Sequence, residues 1–243
     1  MAYALTAAWR ANTIEIDLDT PVLPIHMPGF PVTLVHVDPR KVPKRSVATA
    51  EGRVALVHAI AHIEYNAIHL ALDACYRFRG MPAEFYGDWL RVAAEEAHHF
   101  SLLEAYLVKR GVQYGSFVAH NGLWDMATLT AGDVLARMAL VPRVMEARGL
   151  DVTPGIRQRF EQAGDHDATA ILDVILHDEI GHVAIGNHWF RSLCADRGLD
   201  PQDTFETLAL AHRAPRPHLP LNRAARIAAG FHESELARIE AGS

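Results

Sequence analysis

The sequence predicts an all-α protein: a four-helix bundle with a proline-rich N-terminal arm and short C-terminal helices. Three observations lead there. From about residue 49 the chain reads as four long segments of helical hydrophobic period, each closed by a glycine: Gly80, Gly111, Gly149 and Gly198. The connections between them are short or moderate, as neighbouring helices of a bundle require. Strand-like apolar runs occur only in the first 50 residues, among the prolines.

Residues 1–48 are expected to form an extended arm packed on the bundle. Pro21, Pro24, Pro28, Pro31, Pro39 and Pro43 interrupt every helical period, with apolar pieces such as Val32 to Val37 between them. A short strand pair fits there. A disordered tail is the alternative, but Ile14, Ile16, Leu18, Val22 and Leu23 are too apolar to leave in water.

Residues 49–198 are expected to hold the bundle. The first helix runs from about Ala50 to Phe78, and the second from beyond Pro82 to near Arg110. The stretch Val112 to Leu123 is long enough to cross between helix pairs. The third helix is expected from Trp124 to Arg148, with a short separate helix after Thr153-Pro154. The fourth runs from about Asp165 to Asp196. Residues 199–243 read as two or three short helices broken by the Pro215 to Pro220 stretch. Pro142 lies inside the third helix, removes the hydrogen bond to the Met138 carbonyl and predicts a kink. The kink is either merely tolerated, or it opens a position beside Glu146.

Composition narrows the function. At 243 residues, with 50% hydrophobic and 21% charged, the chain can bury one sizeable core. A formal net charge of −6 disfavours a protein that wraps nucleic acid. The basic cluster that a tRNA substrate would need has candidates only in Arg213, Arg216, Arg223 and Arg226. Cys75 and Cys194 are the only cysteines, which excludes a disulfide framework and a Cys-rich metal site. No apolar run reaches the roughly 18 residues of a membrane span. Residues 1–20 do not read as a signal peptide, so a cytoplasmic protein is expected. The 15 histidines stand out, although a count assigns no role.

The spacing of two of them does. The second helix carries Glu95-Glu96-Ala97-His98-His99, and the fourth carries Asp178-Glu179-Ile180-Gly181-His182. Aligned, both read acid, Glu, two residues, His. A Glu and a His three apart share one helix face. The competing register Glu95 with His98 has charged helical neighbours, Asp88 and Arg91. Glu96 with His99 has Trp89, Val92, Ala93, Phe100 and Leu103 around it. Upstream, Glu64 precedes Glu96 by 32 residues and Glu146 precedes Glu179 by 33. Glu64 sits on an apolar stripe of Val57, Ile60, Ala61, Ala67, Ile68 and Ala71, where a carboxylate needs compensation.

The candidate metal ligands are therefore Glu64, Glu96, His99, Glu146, Glu179 and His182, holding two iron or manganese ions. Two helix pairs, each giving Glu and then Glu-x-x-His, match the donor set of carboxylate-bridged dinuclear centres. Four carboxylates balance two divalent cations, and oxygen and imidazole donors suit iron or manganese. Asp178 and Glu95 are candidates to orient the two imidazoles, or else ordinary surface acids. His58, His62 and His69 share a face with Tyr65 and are expected against the arm or solvent rather than on metal.

The segments His58 to Glu64, Glu95 to Phe100, Glu146 to Pro154 and Asp178 to Ala184 resemble a ferritin-like domain-of-unknown-function family of bacterial proteins. The likeness covers about Pro39 to Phe231. More distantly the site is similar to that of diiron tRNA hydroxylases and other diiron oxygenases. The resemblance implies a ferritin-like four-helix bundle and the metal ligands, and the expected function is a diiron or dimanganese oxidoreductase that uses O2 on a small-molecule substrate. The resemblance also implies that the acid before each Glu-x-x-His holds the opposite histidine. A ferroxidase or iron-handling protein, and a non-catalytic protein stabilised by metal, stay open beside it. A monomer or homodimer with no membrane association is expected.

Overall fold

The computed structural model describes residues 1–241. It is all-helical, with no strand among the described residues. The strand pair expected in the arm is reduced to one isolated parallel bridge between His36 and Ala119.

Helices α2 (Ala50–Arg77), α3 (Ala83–Lys109) and α7 (His166–Asp196) lie where the hydrophobic period put them. Thr49 caps α2 by accepting a 3.0 Å hydrogen bond from the Gly52 N–H. The first residues differ from expectation: Ala2–Arg10 form a helix, α1, not an extended segment. Its four alanines favour helix without any long apolar stripe.

The expected third helix is divided differently. The chain forms α4 (Gly122–Leu129), turns, and restarts at Asp133, whose carboxylate caps α5 (Val134–Leu140). Val141–Glu146 then wind as a π-helical turn, with Pro142 near its start. The predicted kink is thus a local rewinding, a device that accommodates the missing proline donor. Beyond it, α6 (Ala147–Gln162) runs on through Gly149 and Pro154. Pro154 offers no N–H to the Leu150 carbonyl, four residues back, but the Asn222 side chain donates to that carbonyl at 3.1 Å. A satisfied carbonyl lets the helix continue where the sequence suggested a stop. The tail forms α8 (Pro201–Ala211), α9 (Arg223–Ala228) and α10 (Glu233–Ala241), with the Pro215 to Pro220 stretch between the first two.

The internal contacts distinguish two units. The first comprises Met1–Thr128 with Arg159–Ile171. Its core is the α2–α3 pair, built on Val57, Ala61, Leu70, Phe85, Val92 and Leu107. Helix α1 lies on α3, where Thr6 donates to the Leu90 carbonyl at 2.6 Å and Trp9 meets the Tyr86 ring at 5.9 Å. The irregular part of the arm is pinned by side chains that reach its backbone. Tyr65 donates to the Gly29 carbonyl at 2.6 Å, and Trp124 to that of His26 at 3.1 Å.

The second unit comprises Leu129–Gln158 and the chain from Leu172 on. Ala147, Leu150, Val183, Leu221, Phe231 and Leu236 form its apolar cluster. Buried ion pairs tie α9 and α10 to it. Arg226 reaches Asp151 at 2.6 Å, and Arg143 reaches Glu235 at 2.7 Å.

Candidate metal centre

The first unit brings together three of the predicted ligands. Glu64 comes from α2, and Glu96 and His99 from α3. All three are buried, and their donor atoms lie within 4.8 Å of one another. His99 Nδ1 stands 3.1 Å from Glu64 Oε2 and 3.3 Å from Glu96 Oε2. Donors about 2.1 Å from one cation are about 3.0 Å apart when they occupy neighbouring octahedral positions. The observed spacings are close to that.

Electrostatics supports the fit. Burial, and then the nearby Glu96 charge, push the Glu64 carboxyl well above its ordinary range. Burial alone would push the His99 imidazole down. The two carboxylates outweigh it and hold the pKa at about 11. A metal-free cluster therefore favours a proton on His99 and shifts Glu64 toward its neutral acid, where a divalent cation would otherwise balance the carboxylates.

The second unit holds the other three. His182 Nδ1 lies 2.9 Å from Glu179 Oε2, one turn back on α7. The His182 ring has no exposed surface, and Glu146, the last residue of the π turn, is buried. Gly149 faces this pair, since a Cβ there would stand 3.4 Å from Glu179 Oε1. The glycine expected to stop the third helix is thus the close approach that makes room for a candidate ligand.

The sequence matches a family described as proteins of unknown function over residues 1–237. The chain belongs to the DUF455 family. An uncharacterized protein of Haemophilus influenzae is 52% identical over 215 residues, which is 86% of this chain and 75% of that one. No solved structure matches the chain.

In this DUF455 chain, buried Glu and His side chains can hold a metal ion. The register Glu95 with His98 lies differently from Glu96 with His99: His98 is exposed and Glu95 half-buried. Asp178 is also half-buried. No helix among the described residues is long and apolar enough to cross a membrane.

The helix face opposite Glu64 is more structured than the sequence suggested. His58 and His62 are buried, not solvent-facing. The Gly115 N–H donates to His58 Nε2 at 2.9 Å, and the Phe30 ring of the arm stands 5.5 Å from that of His62. Tyr114 lies 2.8 Å from His62 Nδ1. Since His62 Nε2 lies 3.0 Å from the His120 carbonyl, which can only accept, Nε2 donates there and Nδ1 accepts from the tyrosine. Three histidine spacings on one helix could have indicated a packed face, but the partners come from the arm and the 112–121 connection.

Proposed function

We propose that this DUF455 chain is an oxidoreductase with a dinuclear iron or manganese centre that uses O2 to hydroxylate or oxidise an organic substrate. The proposed ligands are Glu64, Glu96, His99, Glu146, Glu179 and His182, on a ferritin-like bundle formed by the long helices. One observation carries this reading. The two Glu-x-x-His turns present the same atoms at similar spacing, His Nδ1 to Glu Oε2 at 3.3 Å on α3 and at 2.9 Å on α7, and neither imidazole has any exposed surface. Chance surface pairs would not be buried twice in the same geometry.

When bound, the two ions would supply electrons for the reduction of O2. The protein's own part follows from its side chains. The six ligands would fix the donor positions, and His99 would give up its proton as a cation binds. The burial of Glu64, Glu96, His99 and His182 keeps water away. Asp178 and Glu95 are proposed to orient the histidines. The reading includes a cytoplasmic monomer or homodimer, and a small-molecule substrate in preference to tRNA.

The test is an anaerobic Fe(II) titration of the purified protein, followed by O2 and watched by absorbance and Mössbauer spectroscopy. About two ions per chain and a bridged diferric spectrum are expected. Glu96→Ala and Glu179→Ala should each lose metal. No uptake at all, or unchanged stoichiometry in both variants, would defeat the assignment. A large cage by size in solution, with iron accumulating far beyond two per chain, would favour iron storage.

A further inference from the structure

The second unit contains a cavity of about 770 Å³ that the metal-site reading does not use. That volume falls among pockets that hold small organic molecules. Arg143, Arg148, Arg213, Arg216, Arg226 and Arg238 line it, against only two carboxylates, Glu206 and Glu235. In a chain of formal net charge −6 this is a local reversal of sign. The rest of the wall is largely apolar, including Val144, Phe205, Ala209, Leu210 and Ile239.

The arginines differ in how far they are already engaged. Arg226 is bound to Asp151, and Arg238 lies 3.2 Å from Glu206. Arg148, Arg213 and Arg216 are paired with no carboxylate among the described residues. Arg143 is the decisive one. It is 2% exposed, and its guanidinium lies 4.4 Å from the Phe190 ring centre and 4.8 Å from that of Phe205. Its Nη2 donates to Glu235 at 2.7 Å, but Nε and Nη1 are buried with no hydrogen-bond partner. An arginine keeps its charge, and buried donors left open are costly unless something completes them.

We propose that this cavity binds a small amphipathic anion. A carboxylate or phosphate head would take the open donors of Arg143 and the uncommitted arginines, and an apolar body would lie along Phe205, Leu210 and Ile239. Forked guanidinium groups suit either head chemistry. RNA fits less well. Arg223, in the same tail, is neutralised by Glu233 and Glu240, so the basic residues line a concavity instead of continuing as an open stripe. The proposal does not depend on the metal assignment.

Calorimetric titration of the full chain with decanoate, decyl phosphate and decan-1-ol tests it. One or both anions should bind one per chain, with the alcohol at least about tenfold weaker. The preferred head distinguishes a carboxylate ligand from a phosphate one. Arg213 and Arg216 are exposed, so R213Q/R216Q should fold normally. It should lower anion affinity about tenfold and leave the alcohol unaffected. Arg143→Gln, with its melting curve as a folding control, should weaken the anions further. The proposal is overturned if the alcohol binds as well as the anions, if R213Q/R216Q binds them unchanged, or if neither anion binds at about 1 mM. It is also overturned if a short single-stranded RNA binds through these arginines and the decyl anions do not.

Discussion

The Cβ that Gly186 lacks would stand 2.2 Å from the Cβ of Pro142. Gly186 is the seat on α7 into which the proline of the π turn fits. That turn ends at Glu146, and α7 carries His182 and Glu179 about one and two turns earlier. The contact therefore sets how close two elements bearing candidate ligands can come.

A methyl group at Gly186 cannot be absorbed by a flexible side chain, because the pyrrolidine ring and its backbone are what it meets. Gly186→Ala should destabilise the protein by about 1–3 kcal/mol through overpacking, despite the better helix propensity of alanine. Chemical denaturation measures it. Adding Pro142→Ala should recover part of the loss, since the two sites touch and their effects will not add. Equal melting of Gly186→Ala and the parent would show that the contact is not close.

Glu64 gives a different kind of test. Burial and Glu96 push its carboxyl well above the ordinary range, toward the neutral acid. Glu64→Gln has almost the same shape and charge as that acid. Its metal-free stability should stay within about 1 kcal/mol of the parent. Metal binding, which needs the carboxylate, should fall sharply. Proton release on loading, followed in weak buffer, should drop as well. If the variant binds metal like the parent, Glu64 is not a ligand.

His58 and His62 make stability depend on pH in a predictable direction. Burial is the main cause that lowers both pKa values, to about 4, from an ordinary value of 6.5. Between those limits the unfolded chain takes up protons that the folded chain refuses. Their contribution is complete above pH 6.5 and is lost as pH falls toward 4. The slope is at most about 1.4 kcal/mol per pH unit for each histidine. His58→Asn in metal-free protein should flatten the unfolding free energy between pH 6.5 and 5, whatever its effect at neutral pH. An unchanged slope would mean that His58 titrates normally in the fold.

Legibility in the sequence followed the range of the forces involved. Helices α2, α3 and α7 were readable because each long apolar period has a stop signal next to it, at Gly80, Gly111 and Gly198. The two Glu-x-x-His turns were readable because a spacing of three fixes their geometry within one helix. Helix α1 was missed because its nine residues are too few for a long helical period and were read with the proline-rich stretch that begins at Pro21; packing at Trp9 and Thr6 holds it on α3. The reach of α6 was missed because Pro154 looked terminal. The donor that replaces its N–H comes from Asn222, 72 residues away from the Leu150 carbonyl it serves. The burial of His58 and His62 depends likewise on the distant Phe30 and Tyr114.

The ion pair between Arg226 and Asp151 joins α9 to α6 and carries the last prediction. Arg226 contacts both carboxylate oxygens, Nε to Oδ1 at 2.9 Å and Nη2 to Oδ2 at 2.6 Å. The two side chains are 3% and 0% exposed. The Asn222 N–H also donates to Oδ1, at 2.9 Å. Removing one partner strands a buried charge, so Arg226→Met should cost about 3–5 kcal/mol. Arg226→Met with Asp151→Leu should cost less than Arg226→Met alone, because the stranded carboxylate is then gone. Screening separates this pair from a surface one. At 1 M NaCl the loss from Arg226→Met should persist, because a buried pair is little screened. Arg238→Met, which breaks the exposed bond to Glu206, should change stability by less than about 1 kcal/mol at any salt. A loss at Arg226 that disappears in high salt would mean that solvent reaches the pair and that the C-terminal helices are held by other contacts.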